Sequence, residues 1–582
     1  MLHRILIITS LFIGVFISFA DEPDSNSYRY INIVEQLQDE SSLIISPVEE
    51  WGLQGNLSNY GLPGYCLSIT YNGFPLGDPL YGMTPFSWMN NRLQKVNISS
   101  SLNSISLTPV FADSGMNLSR FDYYRGDYGF INFGLMVSGN ISENISWRFI
   151  GENLAYDGGY GLFGPDIGML SESITQNYFL DVRKYTDTWL IDLGTSYQKF
   201  TPGLSNPIIL DTTNNETYLN RTHAGRLKEY RTNFYVTGTR SDSSGLVKAG
   251  VQMTNYLYHV SHDESLYKFT AEGYQLSGVF KKEIHRPLSN LTLSATPIAE
   301  NIYLRHGTHK KNRILFKQHI NYTKQRNRLN YSITVGSVNL NPTATISGTL
   351  PLSNRFNIGI QSKLDYTVYP LSFYTNIGGV SSNKPEKEGF SSLQQSLNLR
   401  YEHGASYLNS RINHTYAHLM IPHKNAINDT SFSFNKKTIN SAYLTEEFKL
   451  QFPWKMYIKG RAILSPSTED ESTVSVQGWS RLYQEIFLFH QNLHLYLTGD
   501  IFYQTSPNSV IWFEQLRTNA TSEQSYYTNE RLTASATIGA YIADFHIFYT
   551  IYNAEGRIFS SFPGMPTRNR LKIFGIDWTF IN

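Results

Sequence analysis

The sequence predicts an all-β protein in which a transmembrane antiparallel barrel of about 22 strands, within a range of about 16 to 22, follows a small N-terminal plug-like domain. Three observations lead to this prediction. The chain starts with a short apolar segment, it holds no later stretch apolar enough to cross a membrane as a helix, and it then alternates apolar and polar residues in segment after segment. Only helices and closed barrels satisfy every backbone N–H and C=O group inside lipid. Amphipathic strands without a spanning helix therefore indicate a barrel.

Residues 1–20 have the features of a signal peptide. A short basic start precedes an apolar run over Ile5–Phe19, and small residues at Ser18 and Ala20 fit a cut after Ala20. The run is short for a spanning helix, and acidic and polar residues follow it at once. Export with the barrel in the bacterial outer membrane is the expectation, and an uncleaved N-terminal anchor is the alternative.

The composition excludes some partners and agrees with a membrane barrel. The formal net charge is only +1, so nothing indicates nucleic acid as a partner. Aromatic residues make up 14% of the chain, a level that fits aromatic girdles at the lipid–water boundary. A single cysteine, Cys66, excludes an intrachain disulfide framework.

Residues 116–582 are predicted to form the barrel. Between Ile131 and Ile141 one face is apolar or glycine and the other is polar or glycine, with Met136 as the one apolar exception. Period two with one apolar face is typical of a sheet that is wet on one side, so Arg148 and Asp500 are expected to point into the lumen. The strand predicted to close the barrel has an apolar face made of Phe574, Ile576, Trp578 and Phe580.

The connections between strands are of two kinds. Short ones such as Gln325–Asn327 and Pro351–Asn354 are predicted to face the periplasm, because barrels alternate short turns with longer external loops. The predicted external loops are Thr201–Arg226, Ile377–Ser391, Ile421–Phe434, Thr505–Asn529 and Glu555–Arg568.

Residues 21–115 are irregular and are predicted to form the plug-like domain. Leu67, Ile69 and Tyr71 alternate as a strand, and a strong tight-turn dipeptide follows them. A second short strand is predicted over Arg92–Ile98. The turn and the link after it form the candidate plug motif, Asn72, Gly73, Phe74, Pro75, Gly77 and Asp78.

This motif resembles the plug domain of TonB-dependent outer-membrane receptors, in which a strand ends in an acidic-Gly-x-Pro turn and a later strand reads Ile-x-x-Ile-x-Val. The positions that match are Asn72, Gly73, Phe74 and Pro75, followed by Leu93, Val96 and Ile98. Asn72 stands where the family has an acidic residue. The region from Tyr552 to Ile581 is also similar to the last hairpin of the family. Tyr30–Val34 is the nearest candidate for the segment that couples to the energy-transducing protein.

The resemblance implies uptake of a small substrate through a plugged barrel, with outer-membrane lipid and a TonB-type energy-coupling protein as partners. Two alternatives stay open: a passive porin-like diffusion channel, and a surface adhesion protein for which the barrel is only a mount.

No enzyme, cofactor or metal site is expected from the residues. His259/His262 and His306/His309 have a metal-binding spacing only on a helix, and neither pair has the companion Glu of a metalloprotease. The acids Asp181, Asp192 and Glu272 lie at strand positions and are expected to line a wet lumen.

Overall fold

The computed structural model describes residues 31–581 with gaps at 32, 41–43, 47–55, 59–60, 83, 85–87, 89–93, 100–103, 114–115, 157–172, 202–209, 212–217, 220–224, 263–267, 305–309, 327, 376–384, 425–431, 466–475, 491, 506–509, 514–517, 523–530, 557–559, 563–564 and 567–569. The predicted signal peptide, residues 1–20, lies outside the described residues. Within them, no helix is both long and apolar enough to span a membrane.

The described residues of the N-terminal part form one α-helix, a two-stranded sheet of β1 and β2, and a four-stranded sheet. We refer to the described residues up to residue 113 as the plug. The four-stranded sheet has the order β4-β3-β6-β5, with β3 parallel to β6, and a 3₁₀ turn over Gly64–Cys66 precedes it. The elements are α1 (Ile33–Glu40), β1 (Ile44–Ser46), β2 (Asn56–Ser58), β3 (Ser68–Tyr71), β4 (Phe74–Pro75), β5 (Gln94–Ser99) and β6 (Ser104–Pro109).

The rest of the described chain forms a closed antiparallel barrel of 22 strands, which confirms the predicted fold class. The barrel closes where β34 pairs with β7, with Trp578 opposite Phe121. Three short pairs, β12/β13, β28/β29 and β32/β33, lie in the connections. The elements are β7 (Leu118–Gly126), β8 (Ile131–Ser142), β9 (Ile145–Tyr156), β10 (Ser173–Tyr185), β11 (Leu190–Thr201), β12 (Leu210–Asp211), β13 (Tyr218–Leu219), β14 (Gly225–Asp242), β15 (Gly245–His262), β16 (Lys268–Arg286), β17 (Ser289–Leu304), β18 (Lys310–Arg326), β19 (Leu329–Val338), β20 (Asn341–Pro351), β21 (Phe356–Val368), β22 (Gly389–His403), β23 (Ser406–Lys424), β24 (Ser433–Phe452), β25 (Met456–Leu464), β26 (Val476–Leu488), β27 (Leu493–Gln504), β28 (Val510–Phe513), β29 (Thr518–Ser522), β30 (Arg531–Ile542), β31 (Phe545–Tyr552), β32 (Ser560–Phe562), β33 (Met565–Pro566) and β34 (Leu571–Ile581).

The two faces of the barrel wall follow the period-two pattern of the sequence. On β8, Ile131 and Phe133 are 41% and 40% exposed, whereas Asn132 between them is fully buried. On β34, Phe574, Trp578 and Phe580 are exposed and Ile573 is buried. An apolar outer face against lipid and a polar inner face explain this alternation, since the strand turns successive side chains to opposite sides.

Exposed aromatic side chains ring the end of the barrel that carries the short turns. Such a ring is the aromatic girdle that the composition predicts, because an amphipathic ring is stable at the lipid–water boundary. Four of its members lie in or beside short links between strands: Trp189, Phe356, Trp454 and Phe489.

The five predicted long loops and the two predicted short links occupy opposite ends of the barrel, although the short turns after β7 and β19 lie at the end with the long loops. Since neighbouring strands are antiparallel, the five predicted long loops all follow strands that run in one direction, and the links after β18 and β20 follow strands that run in the other. Some boundaries differ: the link between β21 and β22 already starts at Tyr369 and contains a 3₁₀ turn over Leu371–Phe373, and β23 extends to Lys424, into the predicted loop Ile421–Phe434. We call the end with the long loops the outer end.

The plug packs inside the barrel, where its apolar side chains meet apolar residues of the inner wall. Leu107 and Phe74 of the plug cluster with Ile150 and Phe179 of the wall. Met136, the apolar exception on the inner face of β8, belongs to the same cluster. Its break in the alternation therefore has a physical reason, because this part of the wall faces the plug and not water.

Candidate functional site

The predicted Asn72-Gly73 turn forms and joins β3 to β4. Both residues have positive φ, 50° and 90°, as a two-residue hairpin turn requires. The backbone N–H of Asn72 donates to the carbonyl of Leu107 at 2.9 Å. From the barrel wall, the Nζ of Lys248 donates to both the carbonyl and the side-chain oxygen of Asn72, each at 2.9 Å. The tip of the hairpin is thus attached to β15.

Phe74 anchors the hairpin by packing. Its ring is fully buried, with its centroid 6.0 Å from that of Tyr235. Space for the ring depends on Gly250, because a Cβ there would stand 3.1 Å from Phe74 Cζ and 2.6 Å from the carbonyl oxygen of Val236. Pro75 ends the hairpin at the edge of the sheet.

Gly77 and Asp78 lie beyond the hairpin, at the turn that forms the apex of the plug. Asp78 is buried, and its carboxylate accepts a hydrogen bond from the backbone N–H of Tyr81 at 2.7 Å. Its carbonyl accepts a second one from Gly82. Four of the six motif residues, Asn72–Pro75, therefore contact the barrel wall, and the other two, Gly77 and Asp78, form the turn at the apex of the plug.

A buried network of charge and hydrogen bonds connects the plug to the wall behind the hairpin. Arg148 Nε donates to Asp181 at 2.7 Å, and Arg148 Nη2 donates to the Tyr71 hydroxyl of the plug at 2.6 Å. The Tyr235 hydroxyl donates to the other carboxylate oxygen of Asp181 at 2.6 Å. Burial raises the pKa of Tyr71, which keeps this phenol protonated.

The sequence places Arg148 and Asp181 in the lumen but does not reveal that they form a pair. The missing signal is the register, because the two residues stand directly opposite each other on β9 and β10. Asp192 also faces inward and pairs with Arg183 at 2.7 Å. Glu272 is a wrong assignment: it shares the outward face of β16 with Tyr274 and Leu276.

Helix α1 is held in the lumen by its acids. Glu35 accepts hydrogen bonds from the Ile31 backbone N–H at 3.1 Å and from the Tyr552 hydroxyl at 2.9 Å. Asp39 forms an ion pair with Lys459. Burial raises the pKa of Glu35.

The candidate coupling segment, Tyr30–Val34, runs into α1. Its residues Ile31 and Ile33 are buried against the inside of the barrel, whereas Tyr30 lies outside the described residues. The described part of this segment is therefore packed and partly helical, and it is not an exposed strand.

The apex of the plug meets an aromatic cluster in the outer half of the barrel. Trp88 and Tyr81 pack with Tyr256 and Tyr258 of β15. The guanidinium of Arg231 lies over the Trp88 ring at 5.1 Å and over the Tyr256 ring at 5.6 Å, a cation–π arrangement. No local motif marks these residues, since only the fold brings them together.

The remaining predicted residues have structural settings. His259 contacts the Thr270 hydroxyl at 3.1 Å, and the side chains of His262, His306 and His309 lie outside the described residues. In the described part of the chain, no group of three or more His, Cys, Asp or Glu side chains is arranged to hold a metal ion. On the closing strand, the alternate residue Asp577 points inward and binds His546 at 2.8 Å.

Comparison with known proteins gives a likeness in structure only. No protein-family model matches the chain, and no curated protein matches it. The ferric enterobactin receptor PfeA of Pseudomonas aeruginosa superposes with a TM-score of 0.70 at 9% identity, over 96% of this chain and 97% of the receptor. The siderophore receptor PirA of Acinetobacter baumannii gives 0.68 at 11% identity, over 94% and 96%. The FrpB iron transporter of Neisseria meningitidis gives 0.71 at 11% identity, over 96% and 99%.

These similar structures are TonB-dependent receptors built from a plug and a 22-strand barrel, and the likeness covers nearly the whole of both chains. At these low sequence identities the similarity shows a shared fold and nothing more. Together with the apolar outer face, the fold is that of a multi-pass β-barrel of the bacterial outer membrane.

Proposed function

We propose that this protein takes up a small substrate across the outer membrane through a plugged barrel, in the manner of TonB-dependent receptors, and that it is not an enzyme. The observation that carries the proposal is the attachment of the plug to the inner wall by the buried network at Tyr71, Arg148 and Asp181. A barrel of this width needs its lumen filled if it is not to leak. A plug held by specific contacts fits regulated uptake better than a passive pore.

The partners follow from this role. They are outer-membrane lipid, a small-molecule substrate and a TonB-type protein that supplies energy. In this proposal residues 21–115 are the plug domain, residues 116–582 are the barrel, Asn72–Pro75 attach the plug to the wall, and Gly77 and Asp78 shape the apex. The buried aromatic cluster around Trp88 and Arg231 fixes that apex against β15.

Conductance in planar bilayers in KCl tests the plugging. We expect the whole protein to show little conductance and a variant without residues 21–115 to form large open channels. Large channels from both would favour the passive porin-like alternative. If the protein is instead a surface adhesion protein, deletion of Thr505–Asn529 would abolish binding to cells or matrix. The same deletion would leave the conductance of the whole protein and of the variant without residues 21–115 unchanged.

Energy coupling needs a separate test. We expect the purified protein to bind the periplasmic domain of the TonB-type protein of its own bacterium, and deletion of residues 21–34 to abolish that binding. Uptake of iron chelates is the first transport to measure, because the similar structures are named as iron and siderophore receptors. Uptake that persists after the proton-motive force is removed would contradict coupling.

A further inference from the structure

One sector of the inner barrel wall is accessible to solvent, although the plug covers the wall around it. On the inner faces of β18–β22, residues are exposed at the short-turn end and half-buried further in, as at Gln325, Thr349, Asn321 and Thr345. Towards the outer end they become buried, as at Thr343. This gradient indicates a space that is open to the periplasmic side and closed on the outside.

On the opposite side of the plug, the inner face of the barrel wall is buried and not exposed. Inner-face residues of β9 to β15 such as Arg148, Gln198, Thr237 and Thr254 are all buried. The plug therefore packs against that side and leaves β18–β22 partly uncovered. We call the partly uncovered inner face of β18–β22 the polar lane.

A cavity of about 550 Å³ marks the periplasmic end of this lane, bounded among others by Asn290, Thr323, Ser332, Ser347 and Thr349. Small hydroxyl and amide side chains of this kind keep water in place. Further along the lane, Lys363 and Asp365 form an ion pair at 2.7 Å with side-chain exposures of 14% and 29%. An ion pair with this exposure is hydrated, unlike the dry Arg148–Asp181 pair.

The outer end of the lane is closed by a contact between two short segments. From the plug, the Tyr65 ring meets the rings of Tyr369 and Phe373 edge-on, at 6.5 and 5.8 Å between centroids. The link after β21 is also hydrogen-bonded to the apex of the plug, since Leu371 N–H donates to Pro79 and Ser372 N–H donates to Leu80.

Cys66 lies at this junction, on the lane side. Its side chain packs against the cluster of Tyr65, Tyr369 and Phe373, and Thr367, Asp365 and Lys363 of the inner face of β21 lie near enough to influence its thiol. Burial raises the pKa of the thiol to about 12. The lane therefore reaches up to the segment that closes it.

From this geometry we propose that solute passes along the polar lane, between the plug and β18–β22, and that the contact of Gly64–Cys66 with Leu371–Phe373 is its outer gate. This inference rests on the proposed uptake function. It adds that this contact closes the outer end of the lane among the described residues, so that the plug need not leave its attachment at Arg148 and Asp181.

The first test opens the gate and then blocks the lane, with KCl conductance as the readout. We expect the double variant Tyr65→Ala/Phe373→Ala to produce small steady channels where the wild type is closed. Adding Thr345→Trp, on the inner face of β20, should abolish those channels. Adding Ile346→Trp instead should leave them unchanged, because Ile346 is 57% exposed on the outer face of the same strand.

The outcomes separate this inference from the proposed function. If wild type is closed and deletion of residues 21–115 opens it, plugging holds. A closed gate variant, or channels indifferent to Thr345→Trp, would then overturn the lane alone. Open wild-type channels would overturn the plugging itself, and the lane with it.

A second measurement does not depend on the gate variant being stable. In a Cys66→Ser background, a membrane-impermeant thiol reagent on the periplasmic side should label Ser347→Cys in the lane. It should leave Thr237→Cys unlabelled, because Thr237 is fully buried under the plug. Equal labelling of the two positions would contradict a water-filled lane.

Discussion

We expect the Arg148–Asp181 pair to contribute to the attachment of the plug, and the effect of losing the pair can be given a magnitude. Both side chains belong to the barrel, and in the plugged state they are 0% and 1% exposed. When the plug leaves, both become hydrated. Replacing Asp181 by Asn therefore removes the carboxylate that neutralises Arg148, which is costly only while the plug is seated.

Removing one partner of a buried ion pair destabilises the buried state by about 3–5 kcal/mol. Because the unplugged state is spared this cost, Asp181→Asn should raise the unplugged population by a factor on the order of 10² to 10³. The matched control is Asp365→Asn in the hydrated lane, where an exposed pair is worth about 0–1 kcal/mol and the population should hardly change.

The labelling rate of Thr237→Cys, in a Cys66→Ser background, reports this population. Thr237 is fully buried beneath the hairpin, close to Phe74 and Gly250, so it reacts only when the hairpin leaves the wall. Labelling must be slow compared with plug opening and closing, so that the rate follows the equilibrium. Equal rates in Asp181→Asn and Asp365→Asn would refute the argument that the dry pair holds the plug.

Three further predictions concern the plug contacts. Lys248→Met removes both hydrogen bonds to Asn72 and should weaken plug docking by about 1.5–3 kcal/mol in the Thr237→Cys assay, whereas Asn72→Asp should not weaken it. Gly250→Ala should weaken docking by about 1–3 kcal/mol in the same assay, because the seated plug brings Phe74 Cζ to 3.1 Å from the added Cβ. Gly499→Ala, where an added Cβ meets nothing within 4 Å, should be neutral. The pKa of Glu35 is higher in the folded state than in the unfolded state, so the folded chain binds more protons. The docking of α1 should therefore weaken as the pH rises above the ordinary pKa range of a glutamate. Hydrogen exchange of Ile33–Glu40, corrected for intrinsic rates, should show that loss in the wild type and not in Glu35→Gln.

The sequence predicts the barrel well because the bilayer acts on every strand separately. Each strand turns alternate residues to lipid, so the faces at Ile131 and Phe574 can be read without knowing which strand is the neighbour. The Asn72-Gly73 turn is equally local, since its backbone geometry depends on two residues. Contacts between the plug and the wall are different, because they join positions far apart in the chain: Tyr71 meets Asp181, and Asn72 meets Lys248. Neither composition nor period contains that information.

Part of that missing information is nevertheless present in the inner faces of the strands. A wall residue that faces the plug is free to be apolar, and one that faces water is not, because exposed apolar surface inside a wet lumen has nothing to pack against. Met136, Ile150 and Phe179 are inward apolar residues, and all three lie in the cluster with the plug. The inward residues of β19 and β20 from Ser332 to Thr349 are instead small and polar up to the outer end. An inward apolar residue therefore marks covered wall, whereas inward polar residues occur both under the plug, as at Thr237, and in the polar lane, as at Thr345.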